Sequence, residues 1–129
     1  MTDGRGPLIA VLADDLIWAT RLASIVGLAG GQGAVVGTAE RFSVALASAD
    51  GAIVDLSVRG ASPLAGIAAA AAAGKPVIAV GPHEDSAARK QALAAGASRV
   101  YAYRKLFDDG PRTIAAWLGP PEPLEIAGR

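Results

Sequence analysis

Three aspartates stand where short apolar runs end, and their spacing could bring them together. Asp14 and Asp15 directly follow the run LIAVLA at 8–13, and Asp55 lies near the end of the run AIVDL at 52–56. Such runs are typical of strands that are buried on both faces of a parallel sheet. Because ligands bind outside the carboxyl ends of parallel strands, we expect the three carboxylates to share one crevice.

Carboxylates that converge on a small volume raise each other's pKa unless a cation lies among them. Oxygen ligands with open positions suit Mg²⁺, which commonly bridges a carboxylate to a phosphoryl group, so we predict a magnesium site formed by Asp14, Asp15 and Asp55. The alternative for Asp14 or Asp15 is that it caps the helix that follows. Asp55 has no such explanation, because an unpaired carboxylate inside an apolar strand is costly.

The elements that would position these residues alternate along the chain. Five apolar runs predict strands at 8–13, 34–38, 52–56, 76–80 and 99–103, and the segments between and after them predict helices at 16–29, 39–48, 63–73, 86–95 and, shorter, 111–118. This alternation favours a doubly wound α/β fold of three layers, with a five-stranded parallel sheet in the flavodoxin-like order 2-1-3-4-5. We expect one domain over residues 1–118 and a proline-rich C-terminal tail over residues 119–129.

The composition argues against several classes of protein. The 129 residues include 12 Lys plus Arg and 12 Asp plus Glu, so no overall field attracts nucleic acid or an anionic membrane. No stretch approaches the roughly 20 apolar residues that a transmembrane helix needs. The absence of cysteine excludes disulfides and thiolate metal sites and favours the cytoplasm. A nucleotide or cofactor binder of this fold has little support, because no G-x-G-x-x-G or Walker sequence follows any strand.

An ordered set of segments resembles the receiver domains of bacterial response regulators. ADGAIVDL at 49–56 resembles the third strand of that family, whose phosphoryl-accepting aspartate falls on Asp55. AVLADD at 10–15 resembles the first strand and the acidic metal-binding pair, which falls on Ala13 and Asp14 in one register and on Asp14 and Asp15 in the next. PVIAVGPHEDSAARKQALAAGAS at 76–98 is similar to the fourth strand, the fourth helix and the turn after it.

The chain departs from the receiver pattern at two positions that contact the phosphoryl group in the family. The Ser or Thr that ends the fourth strand is replaced by Gly81, and the lysine that ends the fifth strand aligns with Tyr103. Lys105 could supply the missing cation only if the strand end is bulged. Tyr103 would share a strand face with Tyr101, and packing explains both about as well as a signalling role does.

The resemblance implies a signalling module, and it leaves two interpretations open. The first is an atypical receiver-like module that acts through protein–protein contacts without phosphorylation, because the hydroxyl and the lysine are missing. The alternative is a single-domain response regulator in which a histidine kinase donates a phosphoryl group to Asp55 with Mg²⁺ bound. Neither is an enzyme. The expected partner is a histidine kinase or another signalling protein, or a second copy that docks on the face made of the fourth helix, the fifth strand and the fifth helix.

The single histidine, His83, lies on the loop GPHED beside the expected crevice. It either makes an ordinary hydrogen bond or contributes to a metal site or a pH response.

Overall fold

The alternating pattern of the sequence folds as five strands and five helices. The structure is a computed structural model that describes residues 6–82 and 84–119. In chain order the elements are β1 (Leu8–Leu12), α1 (Leu16–Leu28), β2 (Gln32–Val36), α2 (Ala39–Ser48), β3 (Gly51–Asp55), α3 (Pro63–Ala72), β4 (Val77–Gly81), α4 (Ser86–Ala95), β5 (Arg99–Ala102) and α5 (Tyr103–Leu118). All neighbouring strands pair in parallel, in the order β2-β1-β3-β4-β5. The predicted fold class and strand order are therefore confirmed.

The sheet is buried on both faces, which is why its central strands read as unbroken apolar runs. All five residues of β3 and all five of β4 are buried. Side chains alternate along each strand, so Val11 and Ile53 lie in one apolar cluster with α1 and α5, whereas Leu12 and Val54 lie in another with α2, α3 and α4. The result is a three-layer α/β/α sandwich that holds the carboxyl ends of β1 and β3 side by side.

The last helix differs from the prediction: α5 begins at Tyr103 rather than at residue 111, and it is the longest helix in the described part of the chain. The residues Asp109, Gly110 and Pro111 form a kink inside this helix, where Asp109 has non-helical backbone angles of φ −146° and ψ 32°. Pro111 accounts for this break, because it lacks the backbone N–H that a continuous helix needs, and Gly110 packs closely on α1, where a Cβ would lie 2.7 Å from Cδ1 of Ile25. Tyr103 therefore begins a helix instead of extending a strand.

Within residues 6–82 and 84–119, no helix is long and apolar enough to cross a membrane. His83 and the part of the predicted tail from residue 120 onward lie outside the described residues.

Candidate functional site

Asp55 is the last residue of β3, and its side chain is enclosed. The residue is 0% exposed to solvent. Its Oδ1 atom accepts a hydrogen bond of 3.0 Å from the backbone N–H of Ser57 and a second, short one from the hydroxyl of Tyr103. Its Oδ2 atom is buried and has no hydrogen-bond partner among the residues that the structure describes. Oδ1 of Asp55 is therefore hydrogen-bonded, and Oδ2 is buried from solvent.

Tyr103 closes over Asp55 because α5 begins directly at the end of β5. Tyr103 follows Ala102, the last residue of β5, and its side chain reaches past the end of β4 to Asp55 at the end of β3. The Tyr103 hydroxyl carries one hydrogen, which it donates to Asp55, so its 2.8 Å contact with Oγ of Ser57 is a bond that it accepts. The Tyr103 ring stacks on Trp18 of α1, with 4.5 Å between the ring centroids.

Burial sets the protonation behaviour of this pair. Desolvation raises the pKa of Asp55 above the usual value of 3.8; the hydrogen bonds from Tyr103 and Ser57 oppose this rise, and the negative charges of Asp15 and Asp14 add to it. Burial and the hydrogen bond to Asp55 also raise the pKa of Tyr103. Tyr103 is therefore a protonated donor at neutral pH, fixed on a carboxyl group that ionises less readily than an exposed aspartate.

The other two aspartates are engaged by backbone amides. Asp14 accepts hydrogen bonds from the N–H of Arg59 at 3.1 Å to each of its carboxylate oxygens, and from the N–H of Gly60 at 2.6 Å, so it anchors the loop between β3 and α3. Asp15 caps α1 by accepting a bond of 2.9 Å from the N–H of Trp18. The helix-cap alternative therefore holds for Asp15, whereas Asp14 has a loop-anchoring role that the sequence did not reveal.

The sheet register decides which β1 residue lies beside Asp55. Leu12 pairs with Val54, so the next residue on each strand places Ala13, and not a carboxylate, next to Asp55. Within residues 6–82 and 84–119, no three Asp, Glu, His or Cys side chains form a group that could hold a metal ion. The charges of Asp14 and Asp15 act on Asp55, and the magnesium site that the sequence predicts for the three aspartates stays a prediction.

Neither Gly81 nor Lys105, the two other positions considered for contact with a phosphoryl group, is arranged to make that contact beside Asp55. Gly81 ends β4 with no hydroxyl, and a Cβ placed on it would come within 3.0 Å of Cδ1 of Leu56, so that side chain fills the space. Lys105 lies in the first turn of α5, where its Nζ atom is 3.9 Å from Oδ2 of Asp109. The continuous pairing of β5 contains no bulge, and no ion pair or hydrogen bond joins Lys105 to Asp55.

Solved structures similar to this chain are receiver domains and response regulators. A candidate response regulator from Chloroflexus aurantiacus is 16% identical, with a TM-score of 0.76 over 89% of this chain and 99% of the other. The receiver domain of a Pseudomonas aeruginosa sensor histidine kinase, with magnesium coordinated in its active site cleft, is 18% identical, with a TM-score of 0.70 over 89% and 99%. A response regulator from Burkholderia pseudomallei with a phosphorylated aspartic acid, a calcium ion and citrate is 18% identical, with a TM-score of 0.68 over 87% and 70%.

The chain has the fold of response-regulator receiver domains. No family model and no curated protein matches it. At such low identity the likeness establishes the fold alone, so the chemistry of the site depends on the residues of this chain.

The sequence predicts Asp55 at the correct strand end of the receiver fold, but its hydrogen bonds from Tyr103 and Ser57 were not predicted. Tyr103 was aligned with the lysine of the family and otherwise explained by packing in a strand. The alignment itself contained the signal, because a tyrosine at that position offers a neutral hydroxyl donor where the family offers an ammonium group. The consequence is a carboxyl group that is hydrogen-bonded and covered instead of one that is paired with a cation.

Proposed function

We propose that this chain is a receiver-fold signalling module that acts through protein–protein contacts and does not use Asp55 as a phosphoryl acceptor. It is a binding module and not an enzyme. The observation that carries the proposal is the closure of Asp55, which is 0% exposed and holds the Tyr103 hydroxyl and the Ser57 amide on one carboxylate oxygen.

Phosphoryl transfer to a carboxylate needs an accessible oxygen and positive charge around the transferring group. Of the positions that would supply these in a receiver domain, Gly81 and Tyr103 carry no charge at neutral pH, and Ala13 replaces one of the two acidic residues. The other acidic position, Asp14, accepts hydrogen bonds from the backbone amides of Arg59 and Gly60. Lys105, the substitute cation expected from the sequence, is paired with Asp109. Burial also raises the pKa of Asp55, which disfavours the anionic form that attacks phosphorus.

The output of such a module is contact with another protein. Lys plus Arg balance Asp plus Glu, so nothing in the overall charge favours nucleic acid or a membrane as the partner. We infer that the partner is a histidine kinase or another signalling protein in the cytoplasm. A homodimer through the α4–β5–α5 face is the corresponding prediction for self-association.

One observation favours the phosphorylatable alternative. Oδ2 of Asp55 has no hydrogen-bond partner within the described residues, and it lies at the strand end where receiver domains carry their acceptor. If the Tyr103 ring turned away, this oxygen would be free to attack a phosphoryl group held by Mg²⁺ from solution.

The experiment that separates the two functions is incubation of the full chain with Mg²⁺ and acetyl phosphate, followed by intact-mass measurement. A conventional receiver domain in the same buffer verifies the donor, and Asp55→Asn controls for modification elsewhere. We expect no covalent phosphate on the wild-type chain and no change in the fluorescence of Trp18 with beryllofluoride, with Trp18→Phe used to assign that signal. A phosphorylated species that disappears in Asp55→Asn would establish the alternative function.

A further inference from the structure

Strand β2 is one edge of the sheet, and among residues 6–82 and 84–119 only β1 pairs with it. Gln32 donates its N–H to the segment that precedes β1, and the carbonyl of Val36 accepts from the segment that follows β1. Backbone groups of successive residues in a strand face opposite sides, so residues 32, 34 and 36 face β1. The N–H and C=O groups of Gly33 and Val35 therefore point outward from the sheet edge.

The sequence of β2 lacks the features with which edge strands avoid pairing with another chain. Its five residues, QGAVV, include no charge and no proline, and its pairing with β1 contains no bulge. The opposite edge strand, β5, begins with the exposed Arg99, and the carbonyl of Val100 on it accepts a hydrogen bond of 2.7 Å from Arg89 of α4. Of the two sheet edges, β2 is therefore the one that is open to a further strand.

Apolar surface flanks this edge on both faces of the sheet. On the α2 face, a groove of about 410 Å³ is lined by Val36, Glu40, Arg41, Val44 and Ala45. Val44 is 75% exposed in that groove, and Val35, which points to the opposite face because side chains alternate along the strand, is 38% exposed. A partner that fits this edge therefore supplies both a strand and an apolar surface beside it.

A second copy of the chain supplies both. A two-fold axis normal to the sheet lays β2 antiparallel to the β2 of the second copy, so the outward groups of Gly33 and Val35 meet their own counterparts. Because α2 packs on both β1 and β2, and neighbouring strands are about 4.8 Å apart, this pairing sets the two α2 helices about 10 Å apart. That is a normal distance for packed helices, and it covers Val44, which an isolated extended peptide would leave exposed.

Neither charge nor shape opposes this arrangement. Glu40 and Arg41 are adjacent and exposed at the groove, and no ion pair engages either side chain among residues 6–82 and 84–119. They are one acid and one base, so the groove has no net charge, and a second copy brings both partners of an ion pair. On the other face, Ala23 of α1 packs on Gly33, where a Cβ would come within 3.4 Å of the Ala23 Cα, so small residues flank the strand there.

We propose that two copies of this chain associate through their β2 strands, antiparallel across a two-fold axis, with their α2 helices packed together over Val44. The two five-stranded sheets then form one continuous sheet. This contact lies at the sheet edge opposite β5, so it is separate from the self-association predicted for the α4–β5–α5 face. It does not depend on whether Asp55 accepts a phosphoryl group.

Sedimentation equilibrium of the full chain at increasing concentrations tests the association. We expect a monomer–dimer equilibrium whose dissociation constant rises at least about tenfold in Val35→Lys, because a charge on the edge strand must lose water when the strands pair. Leu93→Lys is the matched control, since it puts the same charge on an apolar residue of α4 that is 45% exposed, and it should leave the dissociation constant unchanged. Circular dichroism verifies that both variants are folded.

Amide hydrogen exchange of the wild type, followed by NMR, tests the strand pairing itself and needs no variant. The N–H groups of Gly33 and Val35 point outward, so their exchange should slow as the protein concentration rises and the dimer forms. The N–H of Ala34 faces β1 and should be protected at every concentration, which makes it the internal control.

Two results would overturn the proposal. A chain that stays monomeric at every concentration, with fast exchange at Gly33 and Val35, does not pair through β2, and the edge is then open to a strand of another protein. A dimer in which exchange at Gly33 and Val35 does not slow, or which Leu93→Lys weakens and a folded Val35→Lys does not, forms through another surface such as the α4–β5–α5 face.

Discussion

Replacing Tyr103 by Phe removes one hydroxyl from the site and keeps the ring. The Phe ring retains the stack on Trp18, whose centroid lies 4.5 Å from that of Tyr103. Asp55 retains the Ser57 amide on Oδ1 but loses its second donor, while its Oδ2 atom already lacks a partner within the described residues. The substitution therefore tests a single hydrogen bond to a buried carboxyl group.

The expected cost follows from the burial of the acceptor. A hydrogen bond to a charged buried group contributes about 1.5–3 kcal/mol, so the free energy of unfolding at pH 7 should fall by about that amount. For a domain of this size the melting temperature should fall by about 5–10 °C. Because the Tyr103 hydrogen bond lowers the pKa of Asp55, its loss raises that pKa further. The destabilisation should therefore be smaller at acidic pH, where Asp55 is protonated in both proteins.

Urea denaturation at several pH values measures this effect. Tyr101→Phe is the matched control, since the Tyr101 hydroxyl has no hydrogen bond to any residue of the described ranges, and its removal should change stability by less than about 0.5 kcal/mol. Equal losses in the two variants at pH 7, or a loss in Tyr103→Phe that does not vary with pH, would refute the role assigned to the hydroxyl.

Three further perturbations test the protonation of Asp55, the packing around a helix glycine and the loop contacts of Asp14. Asp55 binds its proton more tightly in the folded than in the unfolded chain. The free energy of unfolding of the wild type should therefore fall as pH rises through the raised pKa of Asp55, by up to about 1.4 kcal/mol per pH unit. Asp55→Asn should abolish this fall in urea titrations. Gly66→Ala would place a Cβ 2.7 Å from Cδ2 of Leu12 and should destabilise the folded chain by about 1–3 kcal/mol in thermal melts. Gly27→Ala is the control: its Cβ would meet nothing within 4 Å, so it should stabilise the folded chain by about 0.5–1 kcal/mol. Asp14→Ala removes the acceptor of the loop amides and should speed hydrogen exchange at residues 59 and 60 without unfolding the sheet.

Much of the fold follows from local sequence, because the strands are short apolar runs separated by segments long enough for helices. The start of α5 does not, since the residues from Asp108 to Pro111 have the composition of a turn. In the structure this segment is a kink within one helix, and Gly110 packs closely against Ile25 of α1. A tertiary contact of this kind cannot be seen in a sequence window.

The candidate site was predictable in its position but not in its contacts. Asp55 could be placed at a strand end, and the loss of a hydroxyl at Gly81 was visible from the resemblance. The bond from Tyr103 to Asp55 spans 48 residues, and the bonds that occupy Asp14 come from Arg59 and a neighbouring amide, 45 and 46 residues away. These partners depend on where a helix begins and how a loop folds, and neither follows from residue spacing.

Asp55 is a buried, hydrogen-bonded carboxyl group, and we propose that it does not accept a phosphoryl group. Carbon NMR of its side-chain carboxyl, assigned by the signal that Asp55→Asn removes, tests this directly in a pH titration with and without Mg²⁺ and beryllofluoride. We expect a midpoint above 3.8 that neither addition changes, because the group is buried beneath Tyr103. A midpoint at or below 3.8, or a signal that moves when Mg²⁺ and beryllofluoride are added, would contradict the claim.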